Sequence, residues 1–346
     1  MNIPNHAYEC ITKCPICDNS DFSNFYNYGA PFKKDVSNNI CKSCGLIIQS
    51  PRPTFEHLET YYEGYSELSQ TKRILKIENE YFFMSIAKLR YNFLEPFLSD
   101  DMQVLDVGCG PGCLLSLIKG KVKSTLGVNP EASYASFGMQ KYNIEIKVGM
   151  FEDVELPENS FDLIIFDHVF EHLNNPNEVL LKVTKLLKSN GKIFFSTPNA
   201  LKVHGFLWQN YFHDHAFTYS RNTLRRLLQK YGFDEINFDT TGHVTYQKYH
   251  YPYMDLLFER KSGIQNICNG DNYIEVEQYL TSYARDQTSK RKYVDWIIEK
   301  VRRIYPGNPT LATLVYYFLI IAGFNWSKRI FNNTLPPERD KYKSYD

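Results

Sequence analysis

Short apolar runs recur along the middle of this chain, each closed by a glycine or polar turn and followed by a stretch with helical spacing. The run VLDV at 104–107 enters Gly108-Cys109-Gly110-Pro111-Gly112, and residues 113–118 then read as a helix. Runs at 124–128, 144–148, 160–166 and 192–197 predict four more strands. Between the last two, residues 177–187 place Val179, Leu180, Val183, Leu186 and Leu187 on one helical face, with Asn190-Gly191 as the stop. A second amphipathic helix has Ser220 as N-cap, Leu224, Leu227, Leu228 and Tyr231 as its apolar face, and Gly232 as its end. A sixth strand at 234–238 and a seventh near Val244 complete the pattern. Strand and helix in alternation predict an α/β fold, a doubly wound and mostly parallel seven-stranded sheet.

The flanks read differently. Pro51 and Pro53 interrupt regular structure, Thr54 is placed to cap a helix, and residues 72–98 carry Ile86, Leu89, Phe93, Leu94 and Phe97 at helical spacing. These helices are expected to cover a ligand site. The boundaries that follow are a cysteine-bearing unit at 1–50, a helical linker or lid at 51–100, a nucleotide-binding domain at 101–248, and a helical C-terminal extension at 249–346. Within that extension, residues 310–326 contain no charge and fall just short of the roughly 20 residues that cross a bilayer. A buried helix or homodimer contact is one reading of this stretch, and a peripheral membrane contact is the other.

Length and composition limit the choices further. A chain of 346 residues, 43% hydrophobic and 23% charged, is long enough for two or three units of globular character. Its formal net charge of zero lacks the positive footprint of a protein that neutralises many phosphates, so no nucleic acid partner is expected. The opening MNIPNHAYEC has no basic segment leading into an apolar one, which makes the cytoplasm the expected location. Four of the eight cysteines form two pairs, Cys14-Pro-Ile-Cys17 and Cys41-Lys-Ser-Cys44. Two-residue spacers let both thiolates of each turn face one ion, and two such turns complete a tetrahedral structural zinc site. Disulfides in a reducing compartment and a redox pair outside a thioredoxin-like setting are the weaker alternatives.

The glycine turn is tighter than the dinucleotide fingerprint, and Asp106 stands two residues before its first glycine. This segment and the later run FDLIIFDHVFEHL resemble class I methyltransferases that use S-adenosylmethionine (SAM), with a Rossmann-like sheet as the implied fold. The resemblance implies that Asp106, Gly108, Cys109 and Gly110 hold the amino acid end of the cofactor. It places Asn129 and Pro130 at the ribose, where the family carries an acidic residue, with Glu131 as a substitute. Phe151 and Glu152 would flank adenine, and Asp167 and His168 would close the site at the end of the fourth strand.

Methyl transfer from a sulfonium needs an oriented acceptor and a base for its proton. His168, Glu171 and His172 supply one group of candidates, and His213, Asp214 and His215 another. The second group resembles a segment of zinc-containing deoxysugar methyltransferases, which implies His215 as the general base with Asp214 and His213 beside it. A rival reading makes His168, Glu171 and His172 metal ligands together with His213 or His215. It resembles metal-dependent RNA 2′-O-methyltransferases, whose motif has glutamate where this chain has His168. Taken with the cysteine pairs, the resemblance points to a small-molecule acceptor, a sugar or nucleotide-sugar hydroxyl of surface glycan biosynthesis. C-methylation of a keto-deoxysugar nucleotide, and a SAM-binding or zinc-ribbon interaction protein without turnover, are the alternatives.

Overall fold

The computed structural model describes residues 8–29, 35–63, 77–203, 211, 215–246, 249–264 and 267–283. After a two-residue strand at Tyr8–Glu9 that pairs with Arg52–Pro53, β1 (Phe22–Gly29), β2 (Asp35–Cys41) and β3 (Ile47–Gln49) pair antiparallel in chain order. Helices α1 (Phe55–Glu63) and α2 (Ile77–Leu94) follow. Thr54 starts α1 as expected, accepting from the His57 N–H at its hydroxyl (3.4 Å) and from the Leu58 N–H at its carbonyl (3.0 Å). In α2 the fully covered positions are Ala87, Arg90 and Leu94, whereas Leu89, expected on the apolar face, is exposed. The helix has turned so that a charged residue occupies its inner stripe.

Apolar runs without alternation suit strands covered on both faces. Here they form β4 (Gln103–Val107), β5 (Ser124–Asn129), β6 (Glu145–Val148), β7 (Phe161–Asp167) and β8 (Leu187–Pro198), all parallel. Helices α3 (Cys113–Ile118), α4 (Ala132–Tyr142) and α5 (Pro176–Leu186) make the crossovers. The two-residue strand β9 (Phe217–Thr218) then precedes helix α6 (Arg221–Lys230) and strands β10 (Phe233–Asp239), β11 (His243–Tyr246) and β12 (Tyr249–Arg260). The main sheet runs β10-β12-β8-β7-β4-β5-β6, with β12 antiparallel to both of its neighbours and β11 paired to one end of β12.

This order corrects the expected seventh strand. Val244 lies in the short β11, and the strand inserted between β8 and β10 is β12, so the domain expected to stop at residue 248 continues to Arg260. The physical reason is burial on both faces: Met254, Asp255, Leu256, Leu257 and Phe258 are all covered, which erases the alternation that would mark a strand. The helical extension expected from 249 begins only after this strand, with residues 273–283 helical. Beyond β12, the chain returns to the N-terminal cysteines, where the Asp271 N–H donates to the Cys44 carbonyl at 2.9 Å. Residues 284–346, including the charge-free stretch 310–326, lie outside the described residues. Residues 205–207 and 281–346 form a second unit, of which only 281–283 are described.

Two apolar clusters sandwich the sheet. One joins Leu105, Phe166, Phe195 and Leu227 to Cys14, Ile16, Cys41, Cys44 and Leu46, so the cysteine unit shares the core of the large sheet. The other, on the opposite face, holds Ala87, Leu94, Leu115, Ile165 and Phe194. Strand β9 ties the two sheets together, pairing Phe217 with Ile48 and Thr218 with Ile47 of β3.

Candidate active site

At the end of β4 the chain turns through Gly108, Gly110 and Gly112, whose φ angles of +67°, +53° and +72° side chains rarely tolerate. A methyl group on Gly108 would collide with Val169 and one on Gly112 with Ile144, while one on Gly110 would meet nothing within 4 Å. The outer glycines are therefore demanded by packing, and the middle one faces open space where a ligand can approach the backbone. The turn is pinned to β5, with the Gly108 and Cys109 N–H groups donating to the Val128 carbonyl at 2.8 and 3.2 Å.

Asp106 lies beneath this turn, only 3% exposed, and its Oδ1 has no hydrogen-bond partner among the described residues. Burial, and secondarily the charge of Asp167, hold its pKa well above the usual carboxylate range. A buried carboxylate oxygen without a donor is costly, and a ligand ammonium group is the kind of partner that would relieve it. Asn129 is engaged within the protein: its Oδ1 accepts from the Gly110 N–H at 3.1 Å and its Nδ2 donates to the Glu131 carbonyl at 3.0 Å. Glu131, two residues on, is buried, with Oε2 lacking a partner among the described residues and burial raising its pKa. Pro130 between them is half-buried. Phe151 is part of the core, edge-on to Phe166 at 5.9 Å, and the Lys182 ammonium fixes its loop by donating to the carbonyls of Phe151, Glu152 and Val154. Glu152 keeps one covered oxygen, Oε2, without a partner among the described residues, and burial raises its pKa.

Strand β7 lies directly beside β4, with Val107 opposite Phe166, so the residues that follow β7 border the glycine turn. Asp167 accepts from Arg90 Nε at 3.0 Å. The Arg90 guanidinium, fully buried, also lies 3.5 Å from Asp255 Oδ2 and 3.7 Å from the ring centre of Tyr253. Burial pushes the Asp255 pKa up to about 6 against the pull of Arg90. His168 takes a left-handed backbone (φ +53°), and its N–H donates to the Ser196 carbonyl at 2.7 Å. Its ring, 37% exposed, places Nδ1 3.3 Å from Glu171 Oε1 and Nε2 3.4 Å from the Arg90 guanidinium. Burial works to lower the His168 pKa, but the hydrogen bond and charge of Glu171 outweigh it, and the pKa is raised.

Glu171 is 1% exposed, and its Oε2 accepts from the Thr197 hydroxyl at 3.1 Å. Burial alone would raise its pKa, yet His168, His172 and His215 bring it down to about 2. His215 is 8% exposed and meets the His172 ring at 4.7 Å, nearly perpendicular at 78°. One ligand atom each from Glu171, His172 and His215 lies within 4.8 Å of the others. His213 and Asp214 lie outside the described residues. The structure thus brings Asp106, Asp167 and His168 to one sheet edge, and sets His215 against Glu171 and His172.

The four cysteines form a separate centre. Their sulfurs all lie within 4.8 Å of one another, with Cys14 to Cys44 at 3.6 Å and Cys17 to Cys41 at 3.5 Å, and none is in a disulfide. Zinc–sulfur bonds of about 2.3 Å in a tetrahedron set the sulfurs about 3.8 Å apart, so this donor set fits such an ion. Gly45 (φ +77°) and Asp18 (φ +58°) make the tight turns, and the Asn19 amide reaches the Cys41 sulfur at 3.6 Å.

Arg90, Asp255 and Thr197 were not singled out by motif. Only Arg90 carried a signal, a charge at the i+3 position of the Ala87 and Leu94 stripe.

A parallel sheet of this order, with a buried acid below a glycine turn at its carboxyl edge, defines a nucleotide-type cofactor site. Residues 79–237 match a family model described as a methyltransferase domain. A ubiquinone biosynthesis O-methyltransferase of Coxiella burnetii is 31% identical over 120 residues, which cover 33% of this chain and 51% of that protein. A probable SAM-dependent methyltransferase of Mycolicibacterium smegmatis is 28% identical over 99 residues, covering 28% of this chain and 38% of the relative. The chain therefore spans about half the length, or less, of these relatives. A solved SAM-dependent methyltransferase from Archaeoglobus fulgidus aligns at 18% identity and TM-score 0.43, over 51% of this chain and 94% of that one.

Proposed function

We propose that this protein transfers the methyl group of SAM to a hydroxyl of a small-molecule acceptor. The buried, unpartnered Asp106 oxygen beneath the open face of Gly110 carries this reading, because the α-ammonium of SAM supplies the donor that it lacks. Glu131 is better disposed than Asn129 toward the ribose, since the Asn129 amide already braces the turn.

The sulfonium is already an activated electrophile, so the protein must orient the acceptor and take its proton. His168 is assigned that task. It borders the glycine turn, its side chain is 37% exposed, and Glu171 at Nδ1 orients the ring. Its Nε2 faces the Arg90 guanidinium at 3.4 Å, a contact that the acceptor hydroxyl must displace before its proton is taken. His215, which the sequence favoured as the base, is far more covered. O-methylation is supported by the hydroxyl chemistry in the name of the Coxiella relative. A sugar or nucleotide-sugar hydroxyl is the finer reading. It rests on the combination of cysteine pairs, glycine turn and EHL segment, and the cysteines then hold a structural zinc ion.

Incubation of the full chain with methyl-labelled SAM and a panel of nucleotide sugars tests the proposal. The expected result is label in an ether linkage, lost in His168→Gln while SAM affinity is kept. Carbon-bound label would replace it with C-methylation. SAM binding without transfer to any acceptor would make the protein a binder.

A further inference from the structure

We propose that Glu171, His172 and His215 form a binding site for one divalent transition-metal ion, distinct from the cysteine centre and independent of which acceptor is methylated. The donors converge from two segments remote in sequence, the single turn Phe170–His172 after β7 and the residue two positions before β9. One donor atom from each lies within 4.8 Å of the other two, inside a largely covered volume.

The ring geometry fits a shared ion. Two imidazoles bound at about 2.0–2.1 Å, at angles between a right angle and the tetrahedral one, place their ring centres about 4.5–5.2 Å apart. The rings of His172 and His215 are 4.7 Å apart. The glutamate is held as a metal-ligating carboxylate usually is, by a hydrogen bond and an ion-pair contact from neighbouring side chains. The Thr197 hydroxyl donates to Oε2, and the His168 ring lies against Oε1. An ionised carboxylate offers about four acceptor positions, so these two neighbours leave room for a cation.

Both segments are anchored by backbone bonds that do not involve the ligands' side chains. The His172 N–H donates to the Val169 carbonyl at 3.0 Å, and the Ala216 carbonyl accepts from the Gln49 N–H at 3.0 Å. Imidazole and carboxylate together are a borderline donor set, suited to zinc, cobalt, iron or manganese and poorly to calcium. Three protein ligands leave coordination positions open, in contrast to the four cysteines. The group borders the cofactor edge through the contact of Glu171 with the half-buried His168, and the ligand class suited to those positions is an oxygen donor such as a hydroxyl or vicinal diol.

The test uses the full chain with its cysteine centre left loaded, and cobalt(II) as the probe. Equilibrium dialysis with elemental analysis is expected to show one bound cobalt per chain beyond any metal held by the cysteines. Glu171→Gln should weaken that binding by at least tenfold, and His215→Ala should remove it. Thr197→Val, which leaves every ligand in place, should weaken it about tenfold. Unchanged SAM affinity and circular dichroism confirm that each variant is folded. If His215→Ala does not fold, His172→Asn at the less buried ligand replaces it. Cobalt bound equally by the wild type and the ligand variants, or not bound by the wild type, would overturn the proposal and leave a hydrogen-bonded cluster without an ion.

Discussion

The cysteine centre and the glutamate-histidine cluster both use covered donors against one core, but they are built in opposite ways. The cysteines supply four equivalent donors from two tight turns, each written within four consecutive residues, and would leave no coordination position open on a bound ion. The cluster draws three unlike donors from segments joined only by the tertiary fold, and a fourth group, His168, stays half-open at the cofactor edge. A closed shell spends its binding energy on folding, and an open one keeps part of it for a substrate. Stability should therefore be concentrated at the first centre and chemistry at the second.

The largest test of that contrast is Cys41→Ser. Structural zinc binding is worth about 10–16 kcal/mol in small peptides. The cysteines share a core with Leu105 and Phe195, so the loss should spread through the main sheet and lower the melting temperature by more than about 10 °C. A thermal melt followed by far-ultraviolet circular dichroism reads this, and an unchanged melt would break the comparison.

Next in size is Arg90→Met. It leaves Asp255 buried without its cation, and removal of one member of a buried pair costs about 3–5 kcal/mol. Urea unfolding should show a clear loss, smaller than that of the cysteine variant. A larger one would move the centre of stability to the active-site side.

Asp106→Asn should act on ligand binding instead. Loss of a charge-assisted bond of about 1.5–3 kcal/mol corresponds to a SAM dissociation constant raised about 10- to 100-fold. The pH dependence follows from the raised pKa of the free carboxyl group. SAM's ammonium favours the ionised form, so binding releases a proton, and affinity rises with pH through the raised pKa and falls below it. Calorimetry in two buffers of different ionisation enthalpy measures that proton, which the asparagine variant should not release.

The smallest expected effect on stability is that of Thr197→Val, about 1 kcal/mol for one hydrogen bond to Glu171. A loss above about 3 kcal/mol would show that this cluster, too, serves mainly to hold the fold.

The same contrast explains what could be read from sequence. The strands β4 to β8, the glycine turn and both cysteine pairs are local patterns, and each is found close to its expected position. Strand β12 was displaced because its covered half, residues 254–258, reads as an uninterrupted apolar run broken only by Asp255, whose partner Arg90 lies 165 positions away. Arg90 was hidden because a charged residue on a helix is ordinarily solvated, and only the packing of α2 reveals it as buried. The juxtaposition of His215 with Glu171 and His172 depends on where β9 docks, which no spacing along the chain encodes.

That docking bears on how the chain can be divided. Strand β9 belongs by sequence to the domain of the main sheet and by pairing to the N-terminal sheet, so the first fifty residues are not a detachable module. A fragment beginning at Thr54 would expose one edge of β9 and the apolar ring of Phe217, and would leave His215 without its neighbouring strand. The minimal folded fragment therefore includes the cysteine unit, and a chimera made by exchanging that unit must carry a β3 edge that still accepts Phe217.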